Sequence, residues 1–309
     1  MNFQQLRIFR EAVYRGFNLT EVAEALFTSQ SGVSKHIKEL EAELGVALFI
    51  RRGKRLVGLT GPGEEMVAVV ERLLRDAESL KSIADQFSRR DEGSLTIATT
   101  HTQARFALPE VVIRFRQQFP KVHLMLHESA PEHIVDMLQD GRADIGIATE
   151  ALGEADGLAA FPFYTWQHVV IVPPGHELEG RSPLTLDDIA RHPVITYREG
   201  FTGRDRIDRA FGDAGLDPSI VLSAMDADVI RAYVALGLGV GIVASMAVTD
   251  LSRGDVRTVG GDGLFGTNTT WIAVRRGRYL RGFAYRFIEL CDAELSEQVV
   301  RSGSGSSGS

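Results

Sequence analysis

Three short segments place hydroxyls, an amide and free backbone N–H groups where a small anion could be held. TTHTQAR carries Thr100, Thr102 and Gln103 at or just before the start of a helix. Thr149 and Glu150 directly follow the apolar run ADIGIA. GFTGR puts Thr202 and Gly203 ahead of another helix. The first N–H groups of a helix are unpaired and its dipole favours negative charge there. Neutral hydroxyls and amides can bind an anion without burying a full countercharge. Each threonine alone would serve as an ordinary helix cap; the argument for an anion crevice is that three separate segments converge.

Other chemistries find little support. No nucleophile stands at a workable spacing from a base. His123 and His127 have metal-like spacing, but no third ligand accompanies them and strand alternation explains the pattern. His101 lies beside the crevice segment and could orient a neighbour. GLGVG at 237–241 follows a helix and enters a strand, the reverse of a dinucleotide-binding turn. The lone Cys291 excludes an internal disulfide framework and reads as a packed helix residue. Neither catalysis, nor a metal, nor a resident cofactor is expected, only a small-molecule effector.

A second kind of chemistry sits near the N-terminus. Ser31, Ser34, Lys35 and Lys38 share one stripe of a helix, where hydroxyls can reach base edges or phosphates and lysines can neutralise phosphate. Shortly after comes RRGKR, with Arg51, Arg52, Lys54 and Arg55 around Gly53, a basic tip able to lie along a phosphate backbone. Charge is segregated accordingly. Residues 1–60 hold nine Lys/Arg against six Asp/Glu, and the remainder 25 against 35, within a net charge of -7. A basic head on an acidic body suggests a nucleic-acid face joined to a part with another task.

The elements that must position these groups follow from periodicity. Phe3, Leu6, Phe9 and Val13 predict a helix over 3–15. Val22, Ala23 and Leu26 predict another over 20–26, capped by Asn18 or Thr20. Val33, Ile37, Leu40 and Leu44 predict a third, beginning near Gln30 or Ser31. With the turn FTSQ between the last two, this is helix-turn-helix logic. Strand-like Ala47–Ile50 and Leu56–Thr60 make a hairpin, or wing, with RRGKR at its tip. From Pro62 to about Arg90 one long helix carries a heptad stripe of Met66, Val70, Leu73, Ala77, Leu80, Ala84 and Phe87, which calls for a partner helix.

Beyond Gly93 strands and helices alternate. Strands are expected at 95–99, 122–127, 143–148, 169–172, 194–197, 220–223, 240–243 and 270–274. Helices are expected at 103–118, 131–139, 204–213, 229–236 and 280–295. The domain reading is a winged helix-turn-helix at 1–60, a dimerisation linker helix at 61–90 and an α/β effector-binding domain at 91–300. That domain has two lobes, 93–163 with 267–300 and 164–266, and the chain crosses twice between them. Residues 301–309 read as a disordered tail or an added remnant. At 44% hydrophobic and 24% charged the chain should fold as a soluble protein. The charged N-terminus is not a signal peptide and no apolar run spans a bilayer, so a cytoplasmic location without membrane association is expected.

The run TEVAEALFTSQSGVSKHIKELEAELGVALFIR resembles the DNA-binding segment of LysR-type regulators. ATTHTQARFALP, ADIGIATEAL, GFTGR and DADVIRAYVALGLGVGIVASMAV resemble the CysB group within that family. The resemblance implies an N-terminal all-α winged helix-turn-helix with its third helix in the major groove, an antiparallel dimerising linker helix, and a two-lobed sensor like a periplasmic binding protein. It also implies an effector of the O-acetylserine or N-acetylserine type, or a sulfate-like anion, held by Thr100, Thr102, Gln103, Thr149 and Thr202. The partners expected are double-stranded promoter DNA, further copies of the chain in a dimer or tetramer, and RNA polymerase. The genes expected are those of sulfate assimilation and cysteine biosynthesis, with alternative sulfur sources such as sulfonates or taurine as the second reading. A solute-binding protein would lack residues 1–60, and an anion-processing enzyme would need a base or metal.

Overall fold

The computed structural model describes residues 1–53, 55–88, 91–248, 254–261 and 263–305, with backbone alone for 75, 78–79 and 81–88. The chain divides into two units, 1–85 and 86–309.

In the first unit, α1 (Phe3–Tyr14) opens on Asn2. The Asn2 side chain accepts the Gln5 N–H while the Gln5 side chain accepts the Asn2 N–H, a reciprocal cap. Asn18, not Thr20, caps α2 (Leu19–Ala25). Ser29 caps α3 (Gln30–Leu44), which ends on the left-handed Gly45. Leu6, Phe9, Val22, Ala23, Val33, Ile37 and Leu40 meet in one core, as their spacing predicts. Phe3 and Leu44, also expected inward, are 52% and 37% exposed; they occupy the outer turns of their helices, beyond the edge of a small core. Strands β1 (Phe49–Arg52) and β2 (Arg55–Leu59) pair antiparallel around Gly53. The hairpin is tighter than expected, so Arg51, Arg52 and Arg55 lie on its strands beside the turn.

The linker α4 (Gly61–Ser88) is continuous, and its heptad stripe has two different surroundings. Val70 and the unpredicted Leu74 are buried in the winged-helix core, with Met66 packed against them. The helix leaves directly from the hairpin, so its first turns lie within reach of that core. The expectation that Met66 and Val70 serve a dimer seam is corrected accordingly. Ala77 is half-buried, whereas Leu73 and Leu80 are exposed. Lys54 and the side chains of Ala84 and Phe87 lie outside the described residues.

The second unit is built on two lobes. In lobe I, β3 (Gly93–Thr99) is flanked by parallel β4 (Val122–Glu128) and β5 (Ile145–Ala148), with α5 (Pro109–Gln118) and α6 (Pro131–Gln139) as their crossovers. The single helix expected over 103–118 is two pieces. A π-helical turn covers Gln103–Ala107 and α5 restarts at Pro109, which has no N–H to continue the ladder. Strand β6 (Leu158–Val172) then runs from lobe I into lobe II. Lobe II holds α7 (Leu186–Ala190), β7 (Val194–Tyr197), α8 (Arg204–Asp213), β8 (Ile220–Ala224), α9 (Ala227–Ala235), β9 (Val240–Ala244) and β10 (Arg257–Gly260). Strand β11 (Thr267–Arg275) returns antiparallel to β6, giving the order β4-β3-β5-β11-β6-β9-β7-β8 with β10 beside β6.

The two crossings that the sequence implied are thus strands shared by both lobes. Helices α10 (Gly282–Cys291) and α11 (Glu297–Ser304) close lobe I. Residues 301–304, read from composition as a tail, are helical. The Ser304 carbonyl accepts the Gly277 N–H at 3.0 Å, and Gly303 lies so close to the Phe161 ring that a Cβ would collide with it.

Candidate effector site and DNA-binding face

The crevice segments converge as their positions at strand ends predict. Thr100 and Thr102 follow β3, Thr149 follows β5, and Thr202 precedes α8 in the other lobe. Thr100, Thr102, Gln103 and Thr202 are buried and Thr149 half-buried. The hydroxyls of Thr102 and Thr202 meet across the lobes at 3.4 Å.

Gln103, offered by the sequence to a ligand, is gripped by the shared strands. Its Nε2 donates to Thr270 Oγ1 on β11 at 3.3 Å, and its Oε1 accepts from the Tyr164 hydroxyl on β6. Thr270 Oγ1 also accepts from Trp166 Nε1 at 3.1 Å and lies 3.4 Å from Thr149 Oγ1. A polar network therefore links the crevice residues of lobe I to both connecting strands. Sequence reading missed Tyr164, Trp166 and Thr270. They lie where β6 and β11 pair in regular register, next to a shift that leaves Phe163 unopposed between the pairs Thr270–Tyr164 and Trp271–Pro162.

The turn ahead of α8 is the other half of the site. Thr202 has φ +47° and Gly203 φ +70°. A β-branched residue in the left-handed region is a genuine outlier, costing on the order of 1–3 kcal/mol, and persists only where its surroundings impose it. Here His168 Nε2–H donates to the Thr202 carbonyl at 2.9 Å, and His168 Nδ1 accepts from Asn268 Nδ2 at 3.4 Å. This network requires the neutral imidazole, and burial lowers the His168 pKa to about 4. A Cβ at position 203 would overlap Asn268 Oδ1 and His168 Cε1, so glycine is required there.

On the opposite side the Gly203 N–H donates to Glu150 Oε1. Glu150 Oε2 is buried without a partner among the described residues. Burial pushes the Glu150 pKa up to about 7 against the pull of the Gly203 and Thr202 N–H groups, and the nearby charge of Asp205 adds to the rise. Arg204 supplies no free cation to the crevice: its guanidinium donates to the Tyr197 carbonyl at 2.6 Å and to Asp208 at 2.7 Å.

His101 does more than orient a neighbour. It bonds Glu128 at 2.8 Å in its own lobe and stands 3.6 Å from Asp228 of lobe II. Burial lowers its pKa, but the hydrogen bond and charge of Glu128, with Asp226 and Asp228, outweigh that and raise it. His101, Asp226 and Asp228 bring possible metal-ligand atoms within 4.8 Å of one another, yet Arg105 already lies 3.6 Å from Asp228. Cys291 packs against the lobe I core, and burial raises its thiol pKa, as suits an inert helix residue.

On the winged helix, Ser31, Lys35 and Lys38 are exposed and Ser34 half-exposed along one face of α3. Arg52 and Arg55 are exposed on the wing. Arg51 is partly structural: it meets Glu41 at 2.8 Å, and Glu41 also accepts the Leu48 and Phe49 N–H groups at 2.9 and 3.2 Å. That carboxylate pins the wing to α3. No helix among the described residues is long and apolar enough to cross a membrane.

Comparison with known proteins agrees with this architecture. Residues 3–64 match the family described as bacterial regulatory helix-turn-helix protein, lysR family, and residues 88–296 match the LysR substrate binding domain. The chain is 53% identical, over 97% of its length and 97% of the relative's, to the HTH-type transcriptional regulator SsuR of Burkholderia cenocepacia. It is 47% identical to the regulator CysB of the same organism, over 97% and 96%. The crystal structure of the cofactor-binding domain of the Cbl transcriptional regulator superposes with a TM-score of 0.68 at 49% identity, covering 70% of this chain and 95% of that one. This chain belongs to the LysR family of DNA-binding transcriptional regulators, not to a family of enzymes.

Proposed function

We propose that the chain regulates genes of sulfate assimilation and cysteine biosynthesis in response to a small sulfur-pathway effector held between the lobes. The single observation that carries this reading is the meeting of Thr102 and Thr202 over the N-terminus of α8, amid the segments that resemble the CysB group. The effector class is an acetylserine, O- or N-linked, or a sulfate-like anion. The oligomer is a dimer of dimers built through α4, and the DNA-bound protein touches RNA polymerase. An effector acts by binding the open and closed arrangements of the lobes with different affinity. A second reading, a sister regulator serving sulfonates or other alternative sulfur sources, is supported by the higher identity to SsuR than to CysB.

Calorimetric titration of the full chain with sulfate, thiosulfate, adenosine phosphosulfate, O-acetylserine and N-acetylserine tests the proposal. Saturable binding of at least one, weakened by Thr202→Val, supports it. Absence of binding by all five contradicts it.

A further inference from the structure

Glu150 stands where the anion reading would seat a ligand. The turn ahead of α8 aims the N–H groups of Thr202 and Gly203 at the Glu150 carboxylate, and successive amides converging at a turn form an anion-binding nest. In this structure the nest is already filled: Glu150 reaches across from lobe I and its Oε1 accepts the Gly203 N–H. Its other oxygen, Oε2, is buried with no partner among the described residues, a costly state for an ionised carboxylate. The Arg204 guanidinium beside the turn does not offset it, being committed to the Tyr197 carbonyl and Asp208.

The N–H groups of the turn favour the charge of Glu150, whereas burial and the charge of Asp205 on α8 oppose it. Tyr197 on β7 is buried and stays neutral, its hydroxyl accepting the Ala244 N–H. His168 on β6 touches the same turn but is neutral. Two anions cannot share one nest in so dry a place.

We propose that the Glu150 carboxylate is the resident anion of the α8 nest, and that an anionic effector binds by displacing it while Glu150 takes up one proton from solvent. This inference rests on the anion reading of the crevice. The neutral acid can then turn its hydroxyl towards the bound anion and donate to it, which gives the orphaned oxygen a partner. Anion affinity becomes linked to proton activity, and Glu150 becomes the residue that sets how strongly the crevice prefers an anion over a neutral analogue. The elevated pKa of Glu150, about 7, places the onset of that linkage near neutral pH.

The test is calorimetry of the full-length protein with sodium sulfate as probe, in two buffers of different ionisation heat, from pH 6 to 8.5. Sulfate itself does not titrate in this range. Wild type should take up close to one proton per sulfate at pH 8 and almost none at pH 6, with affinity falling about tenfold per pH unit above 7. Glu150→Gln keeps the acceptor for Gly203 without the charge; it should lose the proton uptake that Glu150 supplies, have a shallower pH dependence than wild type, and bind sulfate about tenfold more tightly at pH 8. Asp205→Asn should keep the slope and move its onset to lower pH. Sulfate binding to wild type without proton uptake, or the same slope in wild type and Glu150→Gln, overturns the inference and leaves the anion crevice standing. If neither protein binds sulfate at any pH, the inference falls, and titration with the other four compounds decides the anion reading.

Discussion

Thr102 and Thr202 lie in different lobes, yet their hydroxyls stand 3.4 Å apart. Thr102 follows β3 and Thr202 is the strained residue before α8, so a ligand that bonds both bridges the lobes. Thr→Val keeps the shape and removes the hydroxyl. Loss of one charge-assisted hydrogen bond to a buried anionic oxygen costs roughly 1.5–3 kcal/mol, or about 10- to 150-fold in affinity. In a double-mutant cycle, Thr102→Val and Thr202→Val should show a coupling of about 0.5–3 kcal/mol in effector affinity. Strict additivity would mean that the two sites act independently of lobe closure.

Glu150 and His168 hold the Thr202–Gly203 turn from opposite sides, and burial shifts both towards neutrality. Between pH 4 and 6.5 unfolded His168 binds a proton that the native residue refuses. Stability therefore rises with pH through that window. Between about pH 4.5 and 7 native Glu150 keeps a proton that the unfolded chain releases. Its contribution is complete at low pH and is lost as pH rises through 7. Each effect is worth about 3 kcal/mol at full extent, with opposite sign. The wild-type stability profile should accordingly be shallow from pH 4.5 to 6.5. Glu150→Gln should uncover a rise across that range and His168→Gln a fall, by thermal or denaturant unfolding. Parallel profiles in all three proteins would contradict the assignment.

The wing separates into contact and support. Arg52→Ala with Arg55→Ala should weaken binding to all DNA sequences and flatten the slope of log K against log salt by about 0.9 per lost phosphate contact. Arg51→Ala should also loosen the wing, because Arg51 bonds the Glu41 carboxylate that holds the Leu48 and Phe49 amides. Fluorescence anisotropy at several salt concentrations distinguishes the two effects. An unchanged slope in the Arg52 and Arg55 double variant removes the wing from the phosphate contacts.

The linker helix makes a similar distinction. Leu73 and Leu80 are 38% and 68% exposed in the single chain, whereas Leu74 is 3% exposed in the winged-helix core. Leu73→Asp with Leu80→Asp should dissociate the oligomer in light scattering and abolish operator binding. Leu74→Ala should instead destabilise the winged helix itself by about 2–5 kcal/mol. An unchanged mass for the Leu73 and Leu80 variant would place the dimer contact elsewhere.

Much of this was legible in the chain because the signals are local. The apolar spacing of residues 3–44 specifies three helices, and hydroxyls beside glycine mark the turn before α8. What stayed hidden depends on contacts distant in sequence. Val70 and Leu73 look alike in the heptad stripe, and only the nearness of the winged-helix core separates them. The first half of β6 carries Pro162 and lacks clean alternation, so it does not read as a strand; the structure accommodates the proline at a register shift. Gly303 and Ser304 have linker composition, but the missing Cβ of Gly303 is what lets the chain lie against Phe161. Glu150 was visible as a neighbour of Thr149, whereas its burial and the unpartnered Oε2 among the described residues are tertiary properties.

The measurement that bears most directly on the account is operator affinity of the full-length protein titrated with sulfate, O-acetylserine and N-acetylserine, for wild type and Thr102→Val side by side. The account predicts that at least one compound changes wild-type affinity for operator DNA. In Thr102→Val the same change should require about 10- to 150-fold more of that compound. An identical response curve in the two proteins would contradict the claim that the crevice between the lobes reads the effector.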